Sequence, residues 1–201
     1  AYVNRSFARN GLKDYQGSIE DTNKAIGLNP NDIDAYNNRG VALFYRKDVR
    51  GSIEDFTKAI SLKSDNAVAY SNRGEARNSL KDYQGGFKDA NKAISLNPDY
   101  ASAYSNRGAA RNGMKDYERG IEDTTKAISL EPDNASAYNN RGVARNGLKD
   151  YQGAIEDYTQ AIRLKPDASV YFIRGYARIL LKDYQGAIED HTQVIRLKPG
   201  Y

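Results

Sequence analysis

Asparagine precedes arginine in this chain at five places, 34 residues apart. A carboxamide carries hydrogen-bond donors and an acceptor, so it is able to pair with the N–H and C=O of one peptide unit. Helices packed about 10 Å apart would place successive asparagines about three extended residues apart. The spacing therefore predicts a peptide-binding ladder of Asn4, Asn38, Asn72, Asn106 and Asn140, with Asn37 and Asn139 beside it.

Two other interpretations of these asparagines stay open. Either they are surface residues multiplied by duplication, or they read the edges of RNA bases. A second row of asparagines either extends the polar lining or favours a turn. It comprises Asn10, Asn78, Asn112 and Asn146.

The net charge is +4, from 30 basic and 26 acidic residues. The two signs are interspersed along the chain, whereas a nucleic-acid binder has a clustered basic face. These observations favour a protein or peptide partner and disfavour nucleic acid.

An aspartate follows each repeated arginine sixteen residues later. The constant offset predicts an ion pair between facing helices, with bidentate geometry available. The alternative is a basic ladder that grips phosphate. The six predicted pairs are Arg5–Asp21, Arg39–Asp55, Arg73–Asp89, Arg107–Asp123, Arg141–Asp157 and Arg174–Asp190.

Apolar residues interrupt the polar pattern at two places. Phe44 and Tyr45 stand where other units have Asn-Gly or Asn-Ser, and they join the predicted peptide-binding residues. A contiguous apolar patch marks a contact surface. In the sixth unit such a patch is formed by Phe172, Ile173, Tyr176, Ile179 and Leu180. We expect it to pack against a neighbouring segment or a second copy, with direct ligand binding as the alternative.

The sequence contains no catalytic or metal-binding constellation. Cysteine is absent and His191 is the only histidine, so thiol chemistry and clustered imidazole ligands are excluded. Adjacent acidic residues such as Glu156 and Asp157 point about 100° apart on a helix and do not face each other. The glycines form no phosphate-cradling loop. We therefore expect neither an enzyme nor a cofactor, and we expect His191 to pack in or beside the core.

A repeat of 34 residues, shortened once to 33, must position all these side chains. In the fifth unit, Gly147 ends a first helix, Asp150 caps a second one and Pro166 terminates it. Tyr151, Ile155 and Ile162 belong to an apolar stripe at helical spacing on that second helix. Six such units predict an all-α fold of antiparallel helix pairs, twelve helices in total.

The repeat resembles the tetratricopeptide repeat family along the whole chain. The positions that carry the resemblance are Tyr138, Gly142, Ala154, Tyr158, Ala161 and Pro166 in the fifth unit, and Tyr104, Gly108, Gly120, Ala127 and Pro132 in the fourth. The resemblance implies a right-handed α-solenoid, or superhelix. It also implies a protein-binding scaffold whose first helices line a concave groove.

The sequence departs from the family pattern in ways that bear on the ligand. Arginine replaces the family's leucine before the glycine. The family's two-carboxylate clamp for chaperone tails needs a lysine where this chain has Val3, Asn37, Ser71 or Ser105. We therefore argue against that clamp and expect an extended, sequence-tolerant segment in the groove.

The repeat boundaries predict one array over residues 1–201, with units 1–32, 33–66, 67–100, 101–134, 135–167 and 168–201. Neither end carries the polar cap usual in solenoids, so we expect a fragment of a longer protein. Apolar runs stay far short of the roughly 20 residues of a membrane helix.

The sequence predicts a protein or peptide as the partner, and the apolar sixth repeat offers a surface through which a homo-oligomer could form. Alternatives are an RNA-binding repeat protein and a substrate-recruiting domain of an enzyme encoded elsewhere. The compartment stays open, with the cytoplasm favoured.

Overall fold

The computed structural model describes residues 1–200, which form twelve α-helices and no β-strand, while Tyr201 lies outside the described residues. The helices fall into two compact units, Ala1–Pro98 and Asp99–Tyr201. The first contains α1 Tyr2–Gly11, α2 Tyr15–Leu28, α3 Ile33–Tyr45, α4 Val49–Leu62, α5 Ala67–Ser79 and α6 Tyr83–Leu96. The second contains α7 Ala101–Gly113, α8 Tyr117–Leu130, α9 Ala135–Gly147, α10 Tyr151–Leu164, α11 Ala168–Leu180 and α12 Tyr184–Leu197.

Helix pairs are the building block of both units, as the sequence predicts. In the first unit α1 packs on α2, α3 on α4 and α5 on α6, and each second helix also contacts the next first helix. The second unit repeats this order from α7 to α12. The all-α fold of stacked helix pairs is confirmed. The single array with the boundaries given above, including Tyr201 in its last repeat, stays a prediction.

An aspartate occupies the N-cap position of the second helix in every pair, and in five of the six its side chain makes the capping hydrogen bond. Asp150 Oδ1 accepts the backbone N–H of Gly153 at 3.0 Å, which satisfies one of the donors left free at a helix start. Asp14, Asp48, Asp82 and Asp183 act in the same way. Asp116 lies at the same position, but its side chain makes no capping hydrogen bond and lies 3.7 Å from Arg119.

Each pair is joined by a tight turn with a lysine in the left-handed region. These lysines have φ between 62° and 72°, and they are Lys13, Lys47, Lys81, Lys115, Lys149 and Lys182. The left-handed conformation costs a non-glycine residue roughly 1–2 kcal/mol. In each turn the residue after the lysine donates its N–H to a carbonyl five residues back, as Asp150 does to Arg145 at 2.9 Å. This hydrogen bond fixes the turn and brings the second helix back along the first.

The predicted ion pairs lie inside the helix pairs, and all six form. The distances from arginine Nη2 to aspartate Oδ1 are 2.5–2.7 Å, and a second bond runs from Nε. A second arginine, four residues after the first, reaches the same carboxylate in five pairs: Arg9, Arg77, Arg111, Arg145 and Arg178. The hydrogen bond from Arg5 lowers the pKa of the Asp21 carboxyl below its usual value. These pairs, and no phosphate ladder, account for the repeated arginines.

Small residues let the paired helices approach closely. A Cβ atom added to Gly142 would lie 2.6 Å from the ring of Tyr158, which is 1% exposed. In the second unit Tyr158, Ile162 and Val170 belong to one buried apolar cluster, where α10 meets α11. The core therefore consists of alanines and glycines around a few large side chains, and it holds the first helices in fixed register.

Candidate functional site

Asparagines of the predicted ladder bind the neighbouring first helix. Asn38 on α3 donates from Nδ2 to the Val3 carbonyl at 3.2 Å and to Ser6 Oγ at 2.9 Å, both on α1. In return, Asn10 on α1 donates to the Asn38 carbonyl at 2.9 Å. We call this reciprocal arrangement the asparagine clasp, and it holds α1 against α3.

The second unit contains the same clasp. Asn140 on α9 donates to the carbonyl and the hydroxyl of Ser105 on α7, at 3.2 and 3.1 Å. Asn112 on α7 donates to the Asn140 carbonyl at 2.7 Å. The Nδ2 groups of Asn38 and Asn140 are thus committed to the protein itself. Asn10 and Asn112 of the second asparagine row, which the sequence assigned to the lining or the turn, thus provide the other half of the clasp.

Amide oxygens beside the clasp have no protein partner. The Oδ1 atoms of Asn37 and Asn139 are buried and accept no hydrogen bond within residues 1–200. Both residues precede the clasp asparagine by one position. Of the other predicted residues, Asn4 is exposed, and Asn72 and Asn106 are half-buried. In the second asparagine row, the buried Oδ1 atoms of Asn10, Asn112 and Asn146 likewise accept no hydrogen bond within residues 1–200, and Asn37 and Asn139 are the members of the predicted peptide-binding set with such an acceptor.

The clasp is incomplete between α3 and α5, where Phe44 replaces the donor asparagine. These two helices touch only at a few residues, in contrast to α1 and α3. A cleft of about 120 Å³ opens between them, lined by Val41, Phe44, Tyr45, Phe56, Asn72 and Glu75. The ring of Tyr45 stacks on Tyr15 with 5.1 Å between centroids. Burial raises the pKa of the Tyr45 phenol, and the Glu75 carboxylate adds to the shift.

A second cavity lies beside the clasp of the first unit. It measures about 360 Å³ and is lined by Val3, Asn4, Phe7, Asp34, Asn37, Asn38, Asn66 and Val68. Phe7 is 72% exposed on this surface although it is a large aromatic side chain. We call the surface that comprises this cavity and the α3–α5 cleft the first-helix groove. Two carboxylates, Asp34 and Glu75, line it.

The predicted apolar patch of the sixth repeat lies on α11, and its members differ in burial. Phe172, Tyr176, Ile179 and Leu180 are 40–53% exposed. Ile173 is half-buried and packs against the apolar cluster between α10 and α11. The ring of Phe172 meets His191 edge to face at a centroid distance of 5.4 Å. His191 therefore packs at the boundary of the core.

Exposed apolar residues on α12 escaped the sequence reasoning. Tyr184, Ile188 and Ile195 are 60–64% exposed and lie in a shallow depression of about 460 Å³ next to Ile179. Their positions belong to the apolar stripe that is buried or half-buried in other repeats, so periodicity alone assigns them to the core. Comparison of each repeat with the neighbour that covers it would have singled them out.

Residues 1–200 contain no group of three or more His, Cys, Asp or Glu side chains that could hold a metal ion. Over the same residues, every helix is too short or too polar to cross a bilayer. The surface chemistry of the described chain therefore consists of the groove, the ion pairs and the two apolar surfaces of the sixth repeat.

Comparison with known families gives one consistent match. Models of the tetratricopeptide repeat match residues 33–66, 67–100, 101–134 and 168–201, and a further model of the same repeat matches residues 135–167. No curated protein matches the chain by sequence.

Several solved structures have a fold similar to that of this chain. MamA is 25% identical, with a TM-score of 0.63 over 85% of this chain and 93% of MamA. PilF of Pseudomonas aeruginosa is 20% identical, with a TM-score of 0.75 over 100% of this chain and 92% of PilF. A chain of the Cut9–Hcn1 complex reaches a TM-score of 0.91 at 17% identity, over 100% of this chain and 40% of that one.

Proposed function

Because the chain belongs to the tetratricopeptide repeat family, it is a protein-interaction scaffold, and we propose that its first-helix groove holds an extended segment of a partner protein. The α3–α5 cleft receives an apolar side chain of that segment. Asn37 accepts a backbone N–H group of that segment, and Asn139 offers the equivalent acceptor within the second unit. The observation that carries the proposal is the cleft that opens where Phe44 breaks the asparagine clasp.

The lining of the cleft suits an apolar anchor. Phe44, Val41 and Phe56 form its apolar walls, and its volume of about 120 Å³ accommodates one medium-sized side chain. Apolar anchors in desolvated pockets provide most of the free energy of many protein interfaces. An anchor seated here would replace the contacts that α3 and α5 do not make with each other.

Asn37 adds a backbone-reading contact close to the anchor. A buried acceptor without a partner costs about 1–3 kcal/mol, and a peptide N–H bound to its Oδ1 removes that cost. The clasp supports this role, since Asn38 fixes α3 against α1 through its own Nδ2. Asn38 thus shapes the groove, and Asn4 and Asn72 extend its polar rim.

Charge on the groove favours a protein segment over RNA. Asp34 and Glu75 place carboxylates on the lining, and these repel a phosphate backbone. A lysine or arginine beside the apolar anchor would instead be attracted. The proposed ligand is therefore an extended segment with an apolar residue flanked by a basic one.

A second part of the proposal concerns self-association. Phe172, Tyr176, Ile179 and Leu180 expose a contiguous apolar surface on α11, which we name the α11 patch. Surfaces of this kind in water mark contacts with other proteins. We propose that the α11 patch contributes to contact with a second copy of the chain.

Peptide selection tests the groove. A display library of unstructured twelve-residue peptides is panned on the whole chain, and the dissociation constant of a selected peptide is measured by fluorescence anisotropy. The Phe44→Asn variant restores the residue found in other repeats and removes the apolar wall of the cleft. We expect the affinity to fall about 30-fold, equivalent to about 2 kcal/mol for the loss of one anchor contact.

The matched control is Leu12→Asn, which removes a side chain that is 82% exposed and lies outside the cleft. It should leave the affinity unchanged. Binding of both variants equal to that of the parent chain would contradict the cleft as the anchor site. Tight binding of single-stranded RNA that collapses between low and physiological salt would contradict a protein ligand.

A further inference from the structure

The α3–α5 cleft brings together three residues at which the chain departs from its own repeat. Four of the other five units have asparagine at the position of Phe44, and a glycine or serine at that of Tyr45. Glu75 is the only charged residue at its repeat position, where the other units have Phe7, Val41, Ala109, Val143 and Tyr176. All three side chains line the same cleft, within the first unit. Departures that meet at one cavity indicate one ligand site.

Aromatic rings provide much of the cleft's lining. The rings of Phe44 and Tyr45 stand at 82° to each other, with 5.6 Å between their centroids. Phe56 is 1% exposed and provides a third ring. Tyr15 stacks on Tyr45 at an interplanar angle of 10°, which holds that ring in place. The face of an aromatic ring attracts a cation, so rings in several orientations suit a compact positive group.

Glu75 adds a carboxylate to these rings. Burial raises the pKa of the Tyr45 phenol and the Glu75 carboxylate raises it further, so the field of Glu75 reaches the aromatic wall. Of the residues that the structure describes, those lining the cleft include no lysine or arginine. A carboxylate beside the cleft attracts a cation and gives a neutral apolar ligand no such gain. The charge of the lining therefore favours a positively charged ligand.

Shape and hydrogen bonding favour a methylated ammonium group over a bare one. The cleft of about 120 Å³ holds about four water-sized groups, such as one nitrogen and three methyl groups. A bare ammonium has three N–H donors, whereas Val41, Phe44 and Phe56 offer no side-chain acceptor. Burying those donors without partners is costly. Methylation replaces the donors by methyl groups that pack on the rings, and it keeps the positive charge.

We infer that the cleft binds the trimethylammonium head of a trimethyllysine side chain in the partner segment. The inference rests on the proposed function and deepens it, because the apolar anchor and the neighbouring basic residue become one side chain. Phe44 and Tyr45 contact the methyl groups, and the Glu75 carboxylate balances the charge. Asn37 keeps its contact with the backbone of the segment.

Choline and neohexyl alcohol, in which a carbon replaces the nitrogen, test the inference because they share a shape and differ in charge. Their binding to the whole chain is measured by NMR titration of the backbone amides of α3 and α5. Choline should bind about tenfold more tightly than the alcohol. Glu75→Gln removes the charge, and Phe44→Leu removes a ring but keeps an apolar wall. Each substitution should weaken choline binding about fivefold and so reduce the preference for choline over the alcohol.

Glu54→Gln is the matched control, because it makes the same substitution at an exposed carboxylate on α4, outside the cleft. It should bind choline like the parent chain. Equal affinity of choline and the alcohol would overturn the inference and leave the apolar anchor of the proposed function in place. A parent chain that binds no choline would also overturn it. Circular dichroism and melting temperature verify that each variant is folded.

Synthetic peptides show whether a protein segment carries the group. The selected peptide is prepared with leucine, lysine or trimethyllysine at the position where alanine costs most affinity. The trimethyllysine form should bind about tenfold more tightly than the lysine form. Tightest binding of the leucine form overturns the inference alone, whereas equal binding of every peptide to the parent chain and to Phe44→Asn contradicts the proposed function. Phosphatidylcholine vesicles that bind the chain through Phe44, when trimethyllysine peptides do not, would assign the site to a lipid headgroup and overturn the inference.

Discussion

Replacing Asp157 with alanine is expected to lower the free energy of unfolding by about 3–5 kcal/mol, the cost of breaking a buried ion pair. The Asp157 side chain is 3% exposed, accepts a hydrogen bond from Arg141 Nη2 at 2.7 Å and lies 2.9 Å from Arg145 Nη1 in a second ion pair. Its removal leaves two guanidinium groups facing each other without the carboxylate between them. Urea denaturation followed by circular dichroism measures the loss.

Two matched variants show whether the loss of stability comes from the buried Asp157 carboxylate or would follow the loss of any aspartate. Asp150 lies seven residues before Asp157, caps α10 and has a half-exposed side chain. Asp150→Ala removes this cap and should lower the free energy of unfolding by about 1 kcal/mol. Asp55→Ala should cost less than Asp157→Ala, because Leu43 occupies the position of the second arginine and, within residues 1–200, Asp55 forms an ion pair with Arg39 alone. If Asp157→Ala unfolds at the same urea concentration as the parent chain, the buried ion pair is not what holds α9 on α10.

Tyr158→Ala is expected to destabilise the second unit by about 3–5 kcal/mol, the range for removing a large aromatic side chain from a core. The Tyr158 ring is 1% exposed and fills the space left by Gly142 on the facing helix. Alanine would leave a cavity that the rigid helix pair is unable to close. Thermal and urea unfolding of the variant provide the measurement.

Thr124 offers the control, because it occupies the same repeat position on α8 and its methyl group faces Gly108. Thr124→Ala removes far less volume and should cost about 1 kcal/mol. Equal losses for the two variants would show that side-chain volume at this position does not determine the stability of the pair. Tyr158→Phe keeps the ring and should recover most of the parent stability.

The fold could be read from the sequence because its determinants are local and repeated. The sixteen-residue offset between Arg141 and Asp157 spans one turn between two helices, so a single repeat defines the pair. The cap at Asp150 and the stop at Pro166 depend only on neighbouring residues. Repetition over six units turned each of these weak signals into a firm prediction of helix pairs.

The site was only partly predictable, since its geometry depends on distances between helices. Periodicity placed Asn38 and Asn140 on the first helices, but only the structure shows that their Nδ2 groups reach the preceding helix at 2.9–3.2 Å. Phe44 was recognisable as a break in the pattern. The cleft beside it depends on the separation of α3 and α5, which no residue pattern specifies.

In the sixth repeat, the sequence pattern likewise did not predict which apolar residues are buried. Ile173 was grouped with the exposed patch, and in the structure it packs against the cluster between α10 and α11. Ile188 was indistinguishable from a core residue, and it is exposed because no helix of the described chain covers it. Burial at the end of a stack depends on the neighbour, which a repeat pattern does not reveal.

Hydrogen exchange followed by mass spectrometry, on the whole chain with and without a saturating display-selected peptide, tests the central claim most directly. The groove account predicts slower exchange of backbone amides on α3 and α5, which line the cleft, and on the neighbouring part of α1. Protection confined to the second helices, α2, α4 and α6, would contradict it, because a ligand that protects only those helices does not occupy the groove.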